Sequence, residues 1–384
     1  MKKSNYHFKR MVINQPIKRL SLILFVGLAL TFSCKKDKKD KIDEEIIPAS
    51  TLVVSTFAGT GVADADFQDG SSATFNMPSG IAVDKDGYLY IADTNHHRIR
   101  KITPGGVVST LAGDGIADFK DKLTLQSEAA RFNAPTGVAV DQNFNVYVAD
   151  KDNQRIRKIT PTGLVSTLAG DGIADFKDKP AGQQETARFN SPRGVAVDVN
   201  GNVYVADTGN SRIRKIVTAI FPSVSTLAGT GDPAIIDKPW GVTVAKDGTV
   251  YVADTNNHRI LKITTGAGND VTISALAGAI KGFKDDKGGD ARFDFPTSIA
   301  LDKDGYLYVA DRNNHRIRKI SPEAGVVSTL AGSGTLDANN LFIGAFLDGK
   351  ATEARFNLPS GVVIAADGKL YVADRDNYRI RKIE

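Results

Sequence analysis

Ala92-Asp93-Thr94-Asn95-His96-His97-Arg98-Ile99-Arg100-Lys101-Ile102 returns five more times along the chain, at 149–159, 206–216, 253–263, 310–320 and 373–383. Its aspartate falls at 93, 150, 207, 254, 311 and 374, mostly 57 residues apart. A unit of that size, present six times, means a repeat architecture, in which each unit buries its apolar face against its neighbours. Every residue must then be read first for what all the repeats need.

Each unit holds four short runs rich in β-branched residues and bounded by Gly, Asn, Asp or Pro, the pattern of strands. In the second copy these are 137–141, 145–150, 155–159 and 164–168. Asp86-Gly87, Asp247-Gly248 and Asp304-Gly305 suit the tight turn between the first two runs. Four antiparallel strands repeated radially predict an all-β, six-bladed β-propeller. Its innermost strands, of the Val-Ala-Val type, are apolar on both faces. The outer-strand signature Ser-Thr-Leu-Ala-Gly begins at 109, 166, 225 and 328, with variants at Ser274 and, ahead of the first complete unit, at Ser55. Ile383-Glu384 ends on a third strand. The N-terminal strand is therefore expected to complete the last blade and close the ring.

Residues 1–33 carry Lys2, Lys3, Lys9, Arg10, Lys18 and Arg19 and no acid. Of 49 basic residues this leaves 43 against 44 acidic ones, so the net charge of +5 belongs to the leader and a nucleic-acid partner is not expected. The apolar run at 20–30 is short for a bilayer span. Followed by Ser33 and the only cysteine, Cys34, it resembles a bacterial lipoprotein signal. The resemblance implies acylation at Cys34 and a place in the cell envelope, anchored to a membrane; an ordinary secretory signal with an incidental cysteine is the other reading. Residues 34–50, rich in Lys and Asp, form an expected disordered tether, and 51–384 the propeller, expected to be a monomer.

The runs Pro135-Thr-Gly-Val-Ala-Val-Asp, Val146-Tyr-Val-Ala-Asp-Lys-Asp-Asn-Gln-Arg-Ile-Arg-Lys-Ile and Val165-Ser-Thr-Leu-Ala-Gly resemble the NHL repeat family of six-bladed propellers. The resemblance implies the fold. For function it implies only a range: scaffolds that bind proteins or RNA, an amidating lyase, and metal-dependent lactonase-like hydrolases.

Several residue sets invite chemistry. The six repeated aspartates are expected to accept backbone N–H bonds at the turn into the third strand. Arg98, Arg155, Arg212, Arg259, Arg316 and Arg379 are expected to pair with such carboxylates or to lie along the rim. His97, His258 and His315 share one repeat position on three blades, too spread out to share a zinc ion at bonds of roughly 2 Å. The inner strands offer only Thr243 as a polar side chain within their apolar triplets, and Asp84, Asp141, Asp198 and Asp302 are expected to cap hairpins. No catalytic residue, metal or cofactor is assigned on these grounds.

The loops joining blades are expected on the top face. Asp114-Gly-Ile-Ala-Asp-Phe-Lys-Asp121 is repeated verbatim at 171–178, and Ala-Arg-Phe closes four of the loops. The phenylalanines are expected to pin each loop and the arginines to answer the aspartates. Asp118 and Asp121 alone offer calcium too few oxygens. Blade four breaks the pattern: nine residues separate Gly229 from Pro239, against 17 to 26 elsewhere, and the only tryptophan follows. Six side chains, Ser79, Thr136, Arg193, Trp240, Thr297 and Ser360, are expected to ring the channel mouth. Trp240 either fills the space left by the short loop or, with Arg193, seats a sugar ring, a carboxylate or a peptide. The expected function is a binding or interaction scaffold whose ligand is a glycan, small acid, peptide or protein. A propeller hydrolase or lyase built from top loops is the alternative.

Overall fold

The computed structural model describes residues 51–63, 67–124, 128–183, 186–218, 222–334 and 343–384. Cys34, the leader and the tether lie outside the described residues. Six antiparallel sheets form the blades. Blade two shows the plan: Pro135–Val140, Val146–Asp150, Arg155–Ile159 and Val165–Ala169 follow one another outward from the channel. The second strand of every blade is buried at every position. Sheet faces stacked on both sides explain why Val-Tyr-Val-Ala-Asp is a continuous run rather than an alternating one.

The core is a ring of interfaces between blades. Tyr147, Ala149 and Ile156 of blade two, for example, pack on Phe189, Val195, Val203 and Val205, which belong to blade three and the loop leading into it. Each such fully enclosed Val, Ile or Phe contributes about 1.5–3 kcal/mol. Blades approach most closely at their inner strands. A Cβ on Gly137 would meet the Arg193 carbonyl at 2.2 Å, and one on Gly194 the Trp240 carbonyl at 2.1 Å, so only glycine fits.

The ring closes as expected. Val53–Ala58 pairs antiparallel with Arg379–Ile383, with Val54 opposite Ile383. Val53 and Glu384 exchange both backbone hydrogen bonds, at 2.8 and 3.1 Å. A short strand, Gly349–Lys350, adds on outside Val53 and Val54.

The loops do more than cover the top face. Gly70, Lys122, Lys179 and Lys287 bridge to Val108, Val165, Val224 and Val326 on the outermost strands, so each loop runs along the edge of its blade. The physical reason is the edge itself, a row of backbone donors and acceptors that needs partners. Blade four differs. Its loop is too short to reach, and among the described residues no segment pairs with the outer side of Val271–Ala277, which is largely exposed.

Candidate functional site

The repeated aspartate organises the top of each blade. Asp150 accepts the Asn133 N–H at 2.8 Å through one oxygen, and Asn153 Nδ2 at 2.8 Å through the other. Its charge is answered by an arginine that sequence reasoning did not single out, Arg157, whose Nη1 lies 2.6 Å away with both side chains wholly enclosed. Arg100, Arg214, Arg318 and Arg381 repeat the contact with Asp93, Asp207, Asp311 and Asp374. Each also binds a loop aspartate: Asp69, Asp121, Asp178, Asp285 or Asp348. The signal was legible as an Arg seven residues after each Asp, absent only in blade four, where Leu261 stands.

The other arginine set, expected to pair with such carboxylates or to lie along the rim, finds mostly other partners. Arg259 does pair with its aspartate, Nε to Asp254 Oδ2 at 2.7 Å, because Leu261 leaves that carboxylate unanswered. Arg98, Arg155 and Arg379 instead donate to the loop carbonyls of Asp114, Asp171 and Thr60, at 2.7, 2.7 and 2.8 Å. Arg212 does the same to Thr230, and Arg316 donates to the Asn314 carbonyl at 2.6 Å. All five lie over loop phenylalanines, Phe119 under Arg155 at 3.8 Å among them. The phenylalanines do pin the loops. Arg131 and Arg188 do answer Asp114 and Asp171, each at 2.9 Å. Asp121 is bound by Arg157, and Asp118 by Arg131 at 3.2 Å. Asp84 caps its hairpin, accepting the N–H groups of Asp86 and Tyr88 and the Tyr90 hydroxyl.

The histidines are staples between blades. The residue preceding each Pro of the next blade has positive φ, 46° at Ala134 and 59° at Phe295. Its N–H is accepted by His97 Nδ1 at 3.1 Å in the first case and by His258 Nδ1 at 3.1 Å in the second. His315 serves Leu358 in the same way, and Gln154 serves Ser191. Burial lowers the pKa of His97 and of His258, which suits an imidazole that must accept. His96 turns the other way, Nδ1 to Asp93 Oδ2 at 2.8 Å. Among the described residues, no group of three or more His, Cys, Asp or Glu is placed to hold a metal ion.

The channel is a cavity of about 230 Å³, and all six residues that follow the blade prolines line it. Four of them are hydroxyl residues, all buried, and they point sideways. Ser79 donates to the Thr136 carbonyl at 2.9 Å, and Thr136 to that of Arg193 at 3.1 Å. Thr297 donates to the Ser360 carbonyl at 3.2 Å, and Ser360 to that of Pro78 at 2.9 Å. Where Arg193 and Trp240 replace the hydroxyl, the residue after the repeated aspartate takes over. Thr208 donates to Pro239 O at 2.6 Å and Thr255 to Pro296 O at 2.8 Å. Every blade thus spends one hydroxyl on its neighbour, and the other of the two positions is released in five of the six. Those released positions hold Lys151, Arg193, Trp240, Arg312 and Arg375; blade one keeps a second hydroxyl, Thr94.

Arg193 and Trp240 meet. The guanidinium carbon of Arg193 lies 4.0 Å from the centre of the indole, and that of Arg312 5.5 Å. Phe295 meets the indole edge to face at 5.9 Å. Trp240 is half-buried, so it neither fills a sealed gap nor offers an open face; Arg193 covers it. Burial lowers the pKa of Arg193, and brings Arg312 down to about 10 with the Arg375 charge adding to it.

Comparison with known proteins agrees with this architecture. The sequence model of the NHL repeat matches residues 75–102, 132–159, 189–216, 237–263, 293–320 and 356–383. Human NHL repeat-containing protein 2 is 30% identical over 347 residues, which are 80% of this chain and 46% of that protein, so the chain spans under half the length of that relative. An auxiliary nutrient binding protein from Bacteroides thetaiotaomicron superposes with a TM-score of 0.65 at 21% identity, covering 87% of this chain and 76% of the other. A gluconolactonase from Xanthomonas campestris does so with a TM-score of 0.54 at 14% identity, covering 84% and 95%. At these identities the structural likenesses speak for the fold alone.

Proposed function

This chain is a six-bladed NHL-repeat propeller, and from that premise we propose that it is a ligand-binding module of the cell envelope rather than an enzyme. In this reading it is held to a membrane through acylated Cys34 and takes a glycan, a small acid or a peptide at the top mouth of its channel. The observation that carries the reading is the meeting of Arg193 with Trp240. A cation and an aromatic ring sit half-buried at the one point where the loop roof is cut short, and neither is needed to join the blades there. The B. thetaiotaomicron propeller, described as a nutrient-binding protein, supports a binding role for this shape.

Trp240 is the chain's only tryptophan, so its fluorescence reports the mouth directly. A screen of oligosaccharides, small acids and peptides should find ligands that shift its emission. Trp240→Ala and Arg193→Ala should each weaken binding, measured by calorimetry, with little change in melting temperature. Ligands that bind both variants as tightly as the parent would place the site elsewhere.

A further inference from the structure

The mouth carries more positive charge than its own carboxylates answer. Lys151 is paired with Asp152 at 2.6 Å, and Arg375 with Asp376 at 2.8 Å. Arg193 and Arg312 are different. Among the described residues neither guanidinium has a hydrogen bond or an ion pair, and the buried Nε of Arg312 has no partner at all. Both lie over the same indole, so their guanidinium carbons are no further apart than the sum of 4.0 and 5.5 Å. Arg375 is near enough for its charge to weigh on both.

Among the described residues, the five wholly enclosed arginines all have anions. Arg100, Arg157, Arg214, Arg318 and Arg381 have two carboxylates each, and Arg259 takes the one that Leu261 leaves. Partly desolvated cations stacked on one another's field are costly unless something negative arrives. Both lie over Trp240 with no hydrogen bond made by their N–H forks among the described residues, and a free guanidinium fork is the group that grips an oxyanion with two parallel hydrogen bonds. A single oxyanion would satisfy one fork.

We propose that the channel mouth binds a ligand carrying at least two oxyanion groups, one held by Arg193 and one by Arg312, with Arg375 beside them. The proposal rests on the reading of the mouth as the ligand seat and names the chemistry of its ligand. Carboxylates and phosphates share that chemistry. An acidic oligosaccharide, a free polycarboxylate and a polyphosphate are its possible sources.

Calorimetry of the folded chain with trigalacturonate, citrate and pyrophosphate tests it, with a neutral trisaccharide and a peptide pool as controls. Binding of at least one anion is expected, weakening with salt, and which anion binds identifies the source. Arg193→Ala and Arg312→Ala should each lower the affinity by about tenfold or more. Arg312→Leu should keep or raise the melting temperature, since it removes a buried cation without a partner; an arginine held for structure would lower it. Anion binding indifferent to both arginines would overturn the proposal. So would a neutral ligand bound at Trp240 with no anion bound, although the mouth would then remain the ligand seat. Binding of none of the probes would overturn both readings.

Discussion

Arg157 and Asp150 form an ion pair from which water is wholly excluded, Nη1 to Oδ2 at 2.6 Å, and five of the six blades contain it. It joins the third strand to the end of the second, and through Asp121 it also ties down the loop that covers the blade's edge. Blade four lacks the long loop, its aspartate and the arginine together. The three are one device: remove the loop and the buried guanidinium loses half its anions.

Breaking that device should be expensive. Arg157→Ala leaves Asp150 enclosed without a counter-charge, and a loss of about 3–5 kcal/mol in urea unfolding is expected. Lys151→Ala, which removes a partly exposed pair with Asp152, should cost about 1 kcal/mol or less. Equal effects of the two substitutions would contradict the account.

The histidine staples make the fold sensitive to acid. Burial keeps the His97 and His258 imidazoles below the ordinary value of 6.5, so the unfolded chain takes up protons more readily than the folded one. Their contribution is complete above the unfolded pKa and is lost as pH falls through and below it. The melting temperature should therefore drop between about pH 7.5 and about pH 5. His97→Gln with His258→Gln keeps the acceptor, as Gln154 does at 2.6 Å from the Ser191 nitrogen, and should flatten that drop. An equal fall in parent and double variant would show that the staples are not the titrating groups.

Hydroxyl stitches between blades should be unequal in value. Thr208→Val leaves the Pro239 carbonyl without its 2.6 Å donor and should cost about 1 kcal/mol. Thr94→Val should cost less, because Ser79 still crosses the same boundary. Chemical denaturation of the two variants, and of Ser79→Ala with Thr94→Val together, checks the order.

Closure depends on the N-terminal strand. Deleting residues 51–59 removes fully buried Val54 and exposes the backbone edge of Arg379–Ile383. A large fall in melting temperature, or aggregation, is expected. A propeller that melted unchanged without these residues would refute closure as the source of its stability.

Anchoring through Cys34 has its own test. Expressed in a bacterium, the full chain should partition into detergent, and Cys34→Ala should release it or stall its processing. A soluble product starting at some other residue would refute acylation at this cysteine.

The period of the repeat determined the blade count, the four strands per blade and the closure, because each follows from local patterns counted along the chain. The same counting placed Ser79, Thr136, Arg193, Trp240, Thr297 and Ser360 around the mouth. What side chains at those positions do was decided between blades. That Ser79 and Thr136 turn sideways to a neighbour's carbonyl and that Arg193 lies over Trp240 are contacts between residues far apart in sequence and on different blades. Arg312 shows the division most plainly. In the sequence it is one more residue after a repeated aspartate; that it lies over a tryptophan from the blade before, without an ion pair among the described residues, follows only from how the two blades pack.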